Sequence, residues 1–165
     1  MTVWTNDDGL RVRFGASKSA IAPGGEVATE GDLRELVLSF NGTDVPATAS
    51  QVPITEEAGI PSGAYIESAT LYVTTAFVGA TATLDLGLWY DDGDGTYTVV
   101  DADGIDAAIA ITAIDAADDK ISCDGALIGT TVTDSTNGRP ILISTGYGTA
   151  AFTAGVADLV IRYRV

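Results

Sequence analysis

Residues 60–115 read IPSGAYIESATLYVTTAFVGATATLDLGLWYDDGDGTYTVVDADGIDAAIAITAID. Within 65–77, Ala69, Leu71, Val73 and Phe77 take one side and Ser68, Thr70, Tyr72 and Thr74 the other, which is the two-residue period of a half-buried strand. Within 81–90, Ala82, Leu84, Leu86, Leu88 and Tyr90 alternate with Thr83, Asp85 and Trp89 in the same way. Gly79 supplies a turn between the runs, so they predict an antiparallel hairpin. The acidic segment 91–95 follows, then a short return strand at 96–100. At 103–117 the period changes. Ile105, Ala108, Ile109 and Thr112 fall at helical spacing, alanine is the best helix former, and Asp103 and Asp106 suit the positive end of a helix. Although 109–113 also alternates, the stretch predicts one short helix.

The same alternation extends outward. In 10–14, Leu10, Val12 and Phe14 oppose Arg11 and Arg13. The preceding Asn6-Asp7-Asp8-Gly9 is turn chemistry, so residues 1–9 are expected as an N-terminal arm carrying Trp4, and 10–165 as one domain. A loop punctuated by Pro23-Gly24-Gly25 precedes a strand at 34–40 with Leu36, Leu38 and Phe40 inward, and Asn41-Gly42 signals a hairpin there. Prolines 46, 53 and 61 confine 45–61 to an edge strand or a loop along an edge, since proline lacks the N–H of a sheet ladder. From 120 onward strands recur at 121–123, 126–132, 141–144 and 157–165, the last with Leu159, Ile161, Tyr163 and Val165 inward and Arg162 and Arg164 outward. Short strands between Gly/Asp/Asn turns predict a mostly β chain: a single antiparallel β-sandwich, jelly-roll-like, with one short helix.

At 165 residues and 46% hydrophobic composition, one domain with a sizeable core is expected and bulk disorder is excluded. The net charge of −15, from 23 acids against 8 bases, repels nucleic acid and anionic membranes. The uncharged stretches 68–84 and 140–157 carry Gly and Thr and do not read as membrane spans. No basic-then-apolar leader opens the sequence, and Cys123 is the only cysteine, so the expected setting for synthesis is a reducing host cytoplasm. Cys123 itself reads as a small buried hydrophobe.

Chemistry-bearing candidates are few. Asp92 and Asp94, on the glycine-bent 91–95 loop, are the pair to consider for calcium. The helix–loop–helix pattern fails there, because Tyr97 stands where its glycine is needed and Asp103 where its glutamate is needed. An Asp-Gly hairpin turn accounts for the loop, and no metal is assigned. Asp115, Asp118 and Asp119 read as a solvated acidic face. With no histidine and no nucleophile or phosphate-loop motif, the expectation is a chain that is not an enzyme and takes no cofactor. Four arginines lie in two outward pairs, Arg11/Arg13 and Arg162/Arg164, able to dock on an acidic partner or to pair with acids of the same chain such as Glu35. Trp4 has little local reason for its size, and an indole in so short a segment suits an interface anchor. Trp4, Arg11, Arg13, Arg162 and Arg164 are therefore the candidate partner interface, with coverage of its own sandwich as the other role open to Trp4.

Through its opening WTNDDGLRVRFG, the 60–115 segment and its closing ADLVIRYRV, the chain resembles the small head-decoration (cement) proteins of tailed bacteriophages. The resemblance implies a structural virion protein on the outer capsid surface that stabilises the head lattice against internal DNA pressure. Its implied partners are the major capsid protein and further copies of itself, as a trimer or dimer; it implies no catalytic residues. The alternative is a receptor- or glycan-binding β-sandwich of a phage head fibre or tail, with Tyr72, Trp89 and Tyr90 stacking on sugars.

Overall fold

The computed structural model describes residues 2–5, 11–14, 33–91, 96–133 and 139–165. The chain clusters into two units, Met1–Gly31 and Asp32–Val165. In the first, β1 (Thr2–Thr5) pairs antiparallel with β2 (Arg11–Phe14), placing Trp4 opposite Val12 and Arg11 opposite Thr5. The expected arm, 1–9, thus contains a strand whose partner lies in the expected domain.

The second unit contains β3 (Leu33–Asn41), β4 (Val52–Pro53), β5 (Gly59–Ile60), β6 (Ala64–Val78), β7 (Thr83–Asp91), β8 (Tyr97–Ala110), β9 (Lys120–Ser122), β10 (Thr131–Val132), β11 (Ile141–Gly148) and β12 (Ala154–Arg164). They form two five-stranded antiparallel sheets. In one, β3, β12 and β6 lie side by side, with β9 and β10 sharing the far edge of β6. In the other, β8, β7 and β11 lie side by side, with β4 and β5 sharing the far edge of β11. Each split pair acts as one interrupted strand, which leaves four strands per sheet. Along the chain the first then pairs with the last, the second with the seventh, the third with the sixth and the fourth with the fifth. That nested pairing is a jelly roll.

The core lies between the sheets. Leu71, Leu84, Leu86, Leu88, Leu159 and Ile161 are fully buried, with Val73 beside them, as the alternation predicts. Phe77 closes one end, its ring 5.2 Å from Phe152 in an edge-on contact and 6.1 Å from Phe40. Val165, expected inward, lies one residue beyond β12 and is exposed.

Three local expectations are corrected. First, β6 and β7 are not a hairpin, because they belong to different sheets. The turn between them, with Thr81 at φ 58, carries the chain across the sandwich. In a hairpin the two apolar faces lie side by side; across a sandwich they face each other; the alternation is identical in both. Second, Asn41-Gly42 opens no hairpin. Gly42–Asp44 is a 3-10 turn, tied by a hydrogen bond from Asn41 Nδ2 to Asp44 Oδ2 at 2.9 Å. Third, 103–117 is not a helix. Strand β8 runs to Ala110, and only the 3-10 turn Ile111–Ala113 follows. Between the pairs Leu86↔Asp106 and Leu84↔Ile109, two steps along β7 oppose three along β8, with Ala108 at φ 51. This β-bulge puts Ile109 on the same face as Asp106 only three residues later, both of them buried. The apparent helical spacing is therefore that of an interrupted strand.

Candidate interaction surfaces

The two sheets differ on their outer faces. On the β7–β11 sheet the outward row contains Trp89, Gly87 and Asp85 opposite Leu142, Ser144 and Gly146. It is largely covered by the chain itself. Gln51, 3% exposed, sits over this face and satisfies three groups at once. Its Oε1 accepts from Ser144 Oγ at 2.9 Å and from Trp89 Nε1 at 3.2 Å, while its Nε2 donates to the Ala102 carbonyl at 2.9 Å. Asp85 accepts from Thr48 Oγ1 with one oxygen and from the Ala108 amide, at 2.8 Å, with the other. The segment before β4 and the irregular middle of β8 are thus fastened over the sheet. Small residues make room beneath. A Cβ on Gly146 would stand 2.6 Å from Gln51 Nε2, and one on Gly87 would stand 2.4 Å from the Ala102 carbonyl oxygen.

Beside this seal lies a buried acid–thiol pair, Asp106 and Cys123. Burial raises the Asp106 carboxyl above the ordinary carboxylate range, and the charge of Asp124 adds to the effect. Burial, reinforced by Asp106, pushes the Cys123 thiol up to about 12. Cys123 is therefore an inert core residue, as expected.

The outer face of the β3–β12–β6 sheet is open by comparison. Val37 is 54% exposed and Leu33 48%, and Tyr65 and Tyr72 also reach solvent. Val37 stands beside Val160, which stands beside Thr70. One row away, Arg162 Nε donates to Glu35 Oε2 at 3.0 Å, and in the row beyond it Arg164 Nη2 donates to Glu67 Oε1 at 2.7 Å. Glu35 also holds the Arg162 guanidinium further towards its protonated form. Lys120 Nζ lies 5.1 Å from the centre of the Tyr72 ring.

Of the residues singled out from the sequence, Arg162 and Arg164 share this open face, each joined to an acid of its own sheet. Arg11, Arg13 and Trp4 belong to the first unit, where the strand register is defined and their side chains lie outside the described residues. Asp92 and Asp94 also lie outside the described residues, on the connection closed by the Asp91↔Tyr97 pair. Asp118 and Asp119 stand in a turn, where Asp119 Oδ2 accepts from the Ala116 amide at 2.9 Å. Among the described residues no group of three or more His, Cys, Asp or Glu side chains is arranged to hold a metal ion. A cleft of about 400 Å³ is lined, among the described residues, by Glu56, Glu57, Tyr97, Arg139 and Leu142 and their neighbours. For sugar stacking, Trp89 has its N–H engaged by Gln51 and Tyr72 has Lys120 over its ring.

From the sequence, Gln51, Asp85 and Ser144 carry no functional role, and Asp106 only that of an acid at a helix start. Glycine in the middle of strands, at 87 and 146, was the available signal, since it marks close approach by other backbone.

No family model matches the chain, and no curated protein matches it in sequence. Two solved structures share the fold. A chain of the cyanophage Pam1 capsid asymmetric unit superposes with a TM-score of 0.56 and 19% identity, over 93% of this chain and 97% of that one. A chain of the capsid of Ralstonia phage GP4 superposes with a TM-score of 0.51 and 16% identity, over 89% of this chain and 90% of that one. The jelly roll of this protein is similar, almost end to end, to folds found in phage capsids.

Proposed function

We propose that this chain is a non-enzymatic structural protein of a tailed-phage virion, bound to the outer surface of the capsid, where it reinforces the head lattice as a decoration protein. The observation that carries this reading is the near end-to-end likeness to a chain from a phage capsid. Charge supports it, because a net −15 keeps the chain soluble and repels packaged DNA. The partner is the major capsid protein, and the chain acts as a homo-oligomer. Trp4 anchors the contact, with Arg11 and Arg13 beside it. Arg162 and Arg164 lend charge by exchanging their own acids for acids of the partner.

Co-sedimentation with capsid shells assembled without the chain tests the reading. The expected result is saturable binding at a fixed ratio to capsid protein, with greater resistance of the shells to heating. A chain that stays in the supernatant but is retained by host cells or polysaccharide belongs to the receptor-binding class instead. Deleting residues 1–6 tests the anchor separately. If capsid binding survives while the isolated chain loses stability, Trp4 serves its own fold.

A further inference from the structure

A sandwich has four sheet edges, and three of these are blunted. The β4/β5 edge consists of two-residue strands and includes Pro53. The β9/β10 edge is equally interrupted, with strands of three and two residues. The β8 edge is long but broken by three register shifts, and it carries Asp101, Asp103 and Asp106 with no base. These are the usual protections against edge-to-edge pairing.

The fourth edge lacks them. β3 reads LRELVLSFN and pairs with β12 in an unbroken register from Leu33↔Arg164 to Asn41↔Val156, with no proline and no bulge. Among the described strands β12 is its only partner. Its two charges, Arg34 and Glu35, cancel, so it forms a neutral strip on a chain of net charge −15. An acidic edge such as β8 repels its own copy, whereas β3 does not.

We infer that the free edge of β3 is a self-association surface, where β3 of a second copy adds antiparallel across a twofold axis centred on Val37. Parity fixes the register. Core faces stay aligned across the junction only if odd-numbered residues oppose odd-numbered ones, because a one-residue slip turns every side chain over. Centring on Val37 pairs the whole strand, from Leu33 against Asn41 of the second copy to Asn41 against Leu33. Val37 then meets Val37 of the second copy, extending the outward row of Thr70, Val160 and Val37 through the axis. Glu35, held by Arg162, meets Ser39 rather than another acid. The contact is isologous and closes at two copies. This inference does not depend on the virion reading.

Cross-linking of the full chain tests it. Directly opposed antiparallel residues have Cα atoms about 4.5–5.5 Å apart, within disulfide reach. Val37→Cys is expected to give a covalent dimer on mild oxidation, and Leu33→Cys, four residues from the axis and so separated from its counterpart by nearly the full strand length, is not. Cys123 does not interfere, being buried with its thiol pushed up to about 12. Val37→Lys, at an exposed position, is expected to shift the wild-type dimer to monomer in light scattering while the circular dichroism spectrum is unchanged. A wild-type chain that stays monomeric at high concentration, forms a trimer, or cross-links equally through Leu33→Cys overturns the proposal. A dimer indifferent to Val37→Lys also overturns it.

Discussion

The two sheets share one core but leave their backs in opposite states. The β7–β11 sheet is sealed by Gln51 and Asp85, which spend every polar contact inside the chain. The β3–β12–β6 sheet leaves Val37, Leu33 and Tyr65 in water, and its ion pairs lie at the surface. Buried hydrogen bonds on one face make it rigid and specific, whereas exposed valines beside a straight edge cost little to leave uncovered and are available to a partner. Substitutions on the sealed face should therefore register as stability, and those on the open face as association.

The largest effect is expected at Gln51. Gln51→Leu removes the acceptor for Trp89 and Ser144 and the donor for Ala102, and each buried group left unsatisfied costs about 1–3 kcal/mol. A loss of about 2–4 kcal/mol in urea unfolding is predicted; a loss no greater than that of an exposed substitution would mean that the face is not sealed. Next is Gly87→Ala, whose Cβ meets carbonyl backbone rather than a flexible side-chain end. Overpacking there should cost about 1–3 kcal/mol, read in the same melts.

A smaller effect, with a pH signature, belongs to Asp106. Its raised carboxyl pKa means that the folded state binds a proton more readily than the unfolded chain. Its contribution is thus most favourable at low pH and declines as pH rises from the unfolded value, about 3.9, through the raised folded one. Asp106→Asn should melt higher than wild type at neutral pH, and the gain should vanish on acidification below the unfolded value. A gain independent of pH would point to packing instead. Smallest of all, Val37→Lys on the open face should leave unfolding free energy within about 0.5 kcal/mol of wild type when both chains are measured as monomers.

The sequence shows the inward set plainly: Leu71, Val73, Leu84, Leu86, Leu88, Leu159 and Ile161 alternate as they pack. It does not show which sheet each strand joins, because β6 and β7 carry the same pattern whether they pair side by side or face across the core. A bulge at Ala108 imitates a helical period, since one extra residue converts spacing by two into spacing by three. The seal was the least legible feature. Gln51 is one of several polar residues in a stretch punctuated by prolines, and its meaning comes from Ser144, Trp89 and Ala102, all of them distant in sequence. Arg162 was read with both roles open, and the acid named for the internal one, Glu35, is its partner in the fold.

The central claim, that this jelly roll is a capsid-surface protein, is tested most directly by a cryo-electron reconstruction of shells incubated with the purified chain. The account predicts ordered density for the sandwich at symmetry-related positions on the outside of the shell, with Trp4 at the contact. Shells that remain bare at saturating protein, or density confined to the tail, would contradict it.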